Sequence, residues 1–251
     1  MKTRFLLANS LILLSFFSFL PGKKITIWLI GDSTMSIKET KAYPETGWGM
    51  PFVFFWDSTV KVDNRAMNGR STRTFMEEKR WDPVVHDLQE GDYVFIQFGH
   101  NDEVPSKKSY VPEKDFKANL EKYIADSRSK KANPVLITPV ARRKFDSTGH
   151  IQETHAVYAQ IIRDVARENN VPLIDLSEKS KTLYQQLGPE VSKHLFNYLV
   201  PGEHPNYPEG KQDDTHFSEL GARKIAEIVL QEIKNLKLEL ADRIVKPVIK
   251  N

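Results

Sequence analysis

A chain of 251 residues, 40% apolar and 27% charged, is long enough for one domain with a sizeable core and too evenly mixed for a disordered or fibrous protein. It has no cysteine, which excludes disulfides, thiolate catalysis and zinc–thiolate sites. The formal charge is only +3, and the basic stretches Lys107-Lys108, Lys130-Lys131 and Arg142-Arg143-Lys144 are scattered without an aromatic ladder, so nothing marks a nucleic-acid track.

Residues 1–22 place Lys2 and Arg4 ahead of an apolar stretch that ends at Leu20 and the helix-breaking Pro21-Gly22. That is the make-up of a secretory signal peptide, so the chain is expected to be exported, to a periplasm or the exterior, with 23–251 forming a single domain. The apolar stretch is short for a membrane span, but the small-residue cleavage pattern is poor, which leaves an uncleaved anchor as the alternative. Loss of Lys2 and Arg4 would bring the chain close to neutrality.

The β-branched run that starts at Ile25 stops abruptly at Gly31 and reads as a buried parallel strand opening into Asp32-Ser33-Thr34. In open α/β sheets ligands bind at that end. A serine there is either a helix cap or a nucleophile. Residues 36–44 are polar and irregular, and Gly47-Trp48-Gly49 opens an aromatic-dense segment, 50–56, expected to be a core helix. A second strand, 60–64, leads to Gly69, where positive φ is permitted, and to Ser71, which can cap a short helix. A third, 93–98, runs into Gly99-His100-Asn101-Asp102.

The spacing of Phe116, Leu120, Tyr123 and Ile124 predicts a helix over 112–129 with one buried face. A fourth strand at 135–138 and a loop at 142–149 follow. A second long helix over 153–169 turns Val157, Ile161, Ile162 and Val165 inward, and 172–176 is the fifth strand. Then come a helix at 181–191, a long loop at 194–214 and a capped terminal helix at 218–236. Five short apolar strands alternating with helices predict a doubly wound α/β sandwich around a five-stranded parallel sheet. Its catalytic edge would gather the loops that hold Ser33, Gly69 and Asn101.

A serine nucleophile needs an imidazole to take its proton and an acceptor to orient that imidazole. His216 stands out among the histidines, because Asp213-Asp214-Thr215-His216 sets a carboxylate three residues before an imidazole, just ahead of a helix. The alternative is a surface turn whose acids face a helix dipole. His194, His204, Asp213, Asp214 and His216 also suit zinc or manganese, though without a regular helical spacing.

Four blocks in order, Gly31-Asp32-Ser33, Gly69, Gly99-His100-Asn101-Asp102 and Asp213-Asp214-Thr215-His216, resemble those of the SGNH, or GDSL-type, esterases and acylhydrolases. Within that family the chain is most similar to rhamnogalacturonan acetylesterases, through Thr46-Gly47-Trp48-Gly49, Asn64-Arg65-Ala66, the stretch from Gly69 to Phe75, and Thr215-His216-Phe217. The resemblance implies the flavodoxin-like SGNH hydrolase fold, with Ser33 as nucleophile, His216 as base and then acid, and Asp213 as its orienting carboxylate. The implied oxyanion hole is the backbone N–H of Ser33 and Gly69 with the side-chain amide of Asn101. No metal or cofactor is implied.

His100, Arg70 and Trp48 are the expected substrate contacts, and Arg73 with Arg142-Arg143-Lys144 would extend a basic rim toward sugar carboxylates. The expected substrate is acetylated pectin, rhamnogalacturonan, deacetylated through an acyl-enzyme. Alternatives are an acetylxylan or general acetylesterase, a lipolytic acylhydrolase, and a noncatalytic carbohydrate-binding envelope protein with Trp48, Trp56 and Trp81 as its platform.

Overall fold

The pleat of one strand sorts the molecule into layers. In the computed structural model, which describes residues 24–246, strand β1 (Ile25–Gly31) sends Ile25, Ile27 and Leu29 into one core and Trp28 and Ile30 into the other. It pairs in parallel with β2 (Val60–Asn64) on one side and β3 (Tyr93–Gln97) on the other. With β4 (Asn133–Ile137) and β5 (Leu173–Ile174) the sheet has the order β2-β1-β3-β4-β5, all parallel. The expected doubly wound architecture is the one that forms, and its topological switch point lies between β1 and β3. The expected signal peptide falls outside the described residues.

On the first face, α1 (Gly49–Phe52), α6 (Leu176–Val191) and α7 (Glu219–Asn235) contribute Phe52, Tyr184, Ile225 and Val229 to the core. On the second, α2 (Thr72–Glu77), α3 (Trp81–Asp87), α4 (Glu113–Ser129) and α5 (Ala156–Glu168) contribute Phe75, Val84, Leu120 and Val165. Ser71 caps α2 in a reciprocal box with Thr74, and Ser218 caps α7 through the Gly221 amide. No helix among the described residues is long and apolar enough to cross a membrane.

Three elements depart from the sequence reading. The 50–56 segment is not one core helix: α1 tightens into a 3-10 turn at Val53–Phe55, which leaves Phe54 72% exposed. Helix α5 begins only at Ala156, because the Glu153 carboxylate takes the amides of Thr154 and His155 into a local turn. Val157 therefore points to solvent, and Tyr158, Ala159, Ile162, Val165 and Ala166 form the buried stripe. The fifth strand is two residues long, since Asp175 caps α6 directly behind it.

These placements predict opposite outcomes for two phenylalanines. Phe95→Ala, on the central strand β3, should cost about 3–5 kcal/mol in urea unfolding. Phe54→Ala should stay within about 0.5 kcal/mol of the parent. Similar losses at both positions would contradict the split of this aromatic segment between core and surface.

Candidate active site

Past Gly31 the chain coils once, with the amides of Met35 and Ser36 donating to the Asp32 carbonyl at 3.3 and 3.2 Å. Ser33 opens that turn. A buried polar chain holds it from within: the Thr34 amide and hydroxyl donate to Asp32 Oδ1 at 3.0 and 2.9 Å, and Gln97 Nε2 donates to Thr34 Oγ1 at 2.7 Å. The Trp48 indole N–H closes the chain on Gln97 Oε1 at 2.7 Å. Low dielectric strengthens each of these bonds, so the chain fixes one geometry for the turn. Gly47 permits the close packing, because a Cβ there would lie 2.0 Å from the Ser36 carbonyl oxygen.

Trp48 is therefore not a substrate contact. It has no exposed surface, and its one polar atom is bonded to Gln97. Trp56 and Trp81 are buried too, so the platform imagined for a noncatalytic sugar binder does not exist at these residues.

Ser33 Oγ lies 2.9 Å from His216 Nε2, and His216 Nδ1 lies 2.9 Å from Asp213 Oδ2. The other Asp213 oxygen accepts the amides of Thr215 and His216 at 2.8 and 2.9 Å, so a single turn builds both the imidazole's seat and its orienter. Burial alone would raise the Asp213 carboxyl. The hydrogen bond from His216, its charge and the two amides outweigh that and hold it well below the usual carboxylate range. An ionised Asp213 accepts only, so His216 Nδ1 carries the hydrogen and Nε2 faces the serine as acceptor. The loop is anchored from both sides, by the Thr46 amide on the Phe217 carbonyl and the Asn197 amide on the His216 carbonyl, each at 2.9 Å.

Gly69 adopts φ +76°, with nothing within 4 Å of where a Cβ would project, so backbone conformation and not crowding calls for glycine. Asn101 is buried; its amide donates to the Arg70 carbonyl at 3.0 Å and thereby ties the second and third loops together. Asp102 reinforces the tie, accepting from the Thr72 amide at 2.8 Å, the Thr72 hydroxyl at 2.6 Å and the Gly99 amide at 3.1 Å. His100 is enclosed, edge-on to His155 with ring centroids 4.3 Å apart, and neither of its nitrogens is hydrogen-bonded within the described residues. Burial first, then the neighbouring His155, Arg142 and His216, keep it neutral. It is not open to a substrate in this structure.

The basic rim also differs from expectation. Arg143 is buried and bonded to Asp214 Oδ1 at 2.6 Å, Ser192 Oγ at 3.0 Å and the Pro189 carbonyl, so it braces the His216 loop. Arg142 donates to Thr215 Oγ1 at 2.6 Å, and Arg73 pairs with Glu77. Arg70 pairs with Glu78, yet it still lines a cavity of about 400 Å³ together with Gly69, Asn101, Lys107 and Lys108. The cationic surface beside Gly69 and Asn101 thus comes from residues 107–108, which sequence reading treated as a solvated pair.

Among the described residues, the one group of three metal-type donors within 4.8 Å is Glu45, Asp213 and His216, without His194 or His204. Two of the three are already hydrogen-bonded to each other, and Glu45 is paired with Lys38 at 2.7 Å. Sequence reading missed both Lys38 and Glu45. A lysine in a polar, irregular stretch carries no signal of burial.

The GDSL-like lipase/acylhydrolase family model matches residues 29–224. The chain is 43% identical to rhamnogalacturonan acetylesterase RhgT of Bacillus subtilis over 89% of its own length and 95% of that protein. It also resembles the crystal structure of YxiM from Bacillus subtilis, with a TM-score of 0.74 and 27% identity over 86% of this chain and 58% of that longer one. A catalytic mutant of Axe2, an acetylxylan esterase from Geobacillus stearothermophilus, superposes with a TM-score of 0.58 at 20% identity over 84% of this chain and 95% of that one, a likeness of fold alone.

The Asp102 tie should be visible in stability. Burial pushes its carboxyl up to about 7 despite the three opposing donors. The unfolded chain releases that proton near about 4. The folded state therefore holds an extra proton between these values, and stability from this group is full below about 4 and lost as pH rises through about 7. Asp102→Asn should flatten this part of the decline in denaturant unfolding followed across that range; an unchanged slope would show that Asp102 is ionised throughout.

Proposed function

This chain belongs to the GDSL-like lipase/acylhydrolase family and is a carboxylic ester hydrolase, and on that footing we propose that it removes O-acetyl groups from an acetylated pectin-type polysaccharide, rhamnogalacturonan. The observation that carries the reading is the continuous hydrogen-bonded line from Asp213 through His216 to Ser33 Oγ, at the carboxyl edge of the sheet. As Ser33 Oγ attacks the acetyl carbon, its proton passes to His216 Nε2, and Asp213 stabilises the imidazolium. The carbonyl oxygen becomes an oxyanion facing the N–H groups of Ser33 and Gly69 and the amide of Asn101. Collapse breaks the ester C–O bond, His216 returns the proton to the departing sugar oxygen, and an acetyl-serine remains. Water then attacks the acetyl carbon while His216 takes a proton from it, and acetate leaves as Ser33 regains its hydrogen.

The pectin assignment rests on two supports. The 43% identical relative is named for rhamnogalacturonan. The cavity beside Gly69 and Asn101 is lined by Lys107 and Lys108 as well as by the paired Arg70 and Glu78, and the two lysines suit the carboxylates of a galacturonate-containing polymer. Such a polymer is met outside a cell, where the signal peptide expected at 1–22 would send the chain.

Ser33→Ala and His216→Ala should each remove nearly all turnover, by similar factors, because the two act as a unit. Asn101→Ala should lower kcat by about 10²- to 10³-fold with little change in KM. The substrate is tested by acetate release: it should be faster from acetylated rhamnogalacturonan than from acetylated xylan and should fall as salt rises, while p-nitrophenyl acetate hydrolysis barely responds. Faster release from xylan with no salt effect would leave a general acetylesterase.

A further inference from the structure

We propose that Lys38 is a positioning residue that sets the separation of the Ser33 turn and the Gly69 loop, and that Glu45 keeps it charged for this task; the inference rests on the esterase reading above. The Lys38 side chain has no exposed surface. An ammonium has three hydrogens to donate, and each has a partner: the Ser33 carbonyl at 2.5 Å, Asn68 Oδ1 at 2.9 Å and Glu45 Oε1 at 2.7 Å. Asn68 Oδ1 also receives the Ser36 hydroxyl at 2.5 Å. One buried cation thus joins the nucleophile's own carbonyl to the residue preceding Gly69.

The His216 loop is reached through Glu45. A carboxylate oxygen of Glu45 lies within 4.8 Å of the donor atoms of Asp213 and His216, and the next residue, Thr46, donates its amide to Phe217. The Lys38–Glu45 pair therefore bonds the chain at Ser33 and beside Gly69, and its carboxylate lies within 4.8 Å of the His216 donor atom. Fold stability gives no reason for it, because replacing a buried ion pair by apolar side chains is often neutral or stabilising. Geometry does. The two backbone donors proposed for the oxyanion belong to loops after different strands, and a shift of about 1 Å at such a site can cost about 10²-fold in rate.

The charge matters as well as the shape, since a neutral amine donates only two hydrogens. Burial lowers the proton affinity of Lys38, and Glu45, then Asp32 and Asp213, oppose that. These are the acids that face it, with His216 beyond Asp213. Removing the Glu45 charge should make Lys38 lose its proton, and the site lose activity, at a lower pH than in the parent.

The test uses the full chain and p-nitrophenyl acetate, a neutral substrate, from neutral to alkaline pH with spontaneous hydrolysis subtracted. Lys38→Met should lower kcat about 10²-fold while KM stays within about twofold. Glu45→Gln should lose activity as Lys38 loses its proton, with its alkaline fall beginning about one pH unit or more below that of the parent. Parent-like kcat in Lys38→Met, a loss confined to KM, or an unmoved alkaline limb in Glu45→Gln would each overturn the proposal. If Lys38→Met does not fold by circular dichroism, the alkaline limb of Glu45→Gln decides. A parent chain that hydrolyses no ester, or whose activity survives Ser33→Ala, would instead overturn the esterase reading.

Discussion

The site depends on where β1 is made to stop. Gly31 is the last residue of the strand and sits level with Gln97 of β3; a Cβ on it would come within 2.5 Å of the Gln97 carbonyl oxygen. At that point the backbone is pressed against its neighbour and has to turn out of the sheet, at the crevice where the strand order reverses. The Ser33 turn and the loop after β2 hang from this exit. Gln97 itself reaches Thr34 in the turn, Trp48 reaches Gln97, and the amide of Met67 donates to the Gly31 carbonyl to bring the second loop alongside.

Around that exit the protein keeps ionisable groups in defined states by giving each a different environment. Asp213, offered the imidazole and two amides, stays ionised below the usual range. Asp102, enclosed more completely, is pushed toward neutrality, and His100 is held neutral by burial. Lys38 keeps its place against desolvation through three acceptors. Perturbation of this density is characteristic of functional sites, where burial and neighbours set protonation. Surface pairs such as Lys41 with Glu39, both largely exposed, contribute little by comparison.

Features governed by local chemistry were legible in the chain itself. β-branched runs halted by glycine marked the strand ends, and Asp213 three residues before His216 marked a turn that seats its own imidazole, because an aspartate captures amides two and three residues on. The bounds of β2 and the caps Ser71 and Ser218 belong to the same class. What escaped reading depends on partners distant in sequence. Nothing near Trp48 announces Gln97, and nothing near Arg143 announces Asp214, Ser192 and Pro189, so by sequence alone Trp48 reads as a substrate contact and Arg143 as part of a basic rim. The aromatic stretch at 50–56 is apolar without a helical period, and Phe54 emerges on the surface.

In the proposed reaction the line from Asp213 through His216 to Ser33 generates a serine nucleophile that carries the acetyl group before water removes it. Rapid acid quench of the chain with an isotopically labelled acetyl ester, followed by peptide mass spectrometry, tests it most directly. One labelled acetyl group should appear on the peptide containing Ser33, and none there in His216→Ala. A chain that turns over the ester while its Ser33 peptide stays unmodified at every quench time, or that carries the label on another residue, would contradict it.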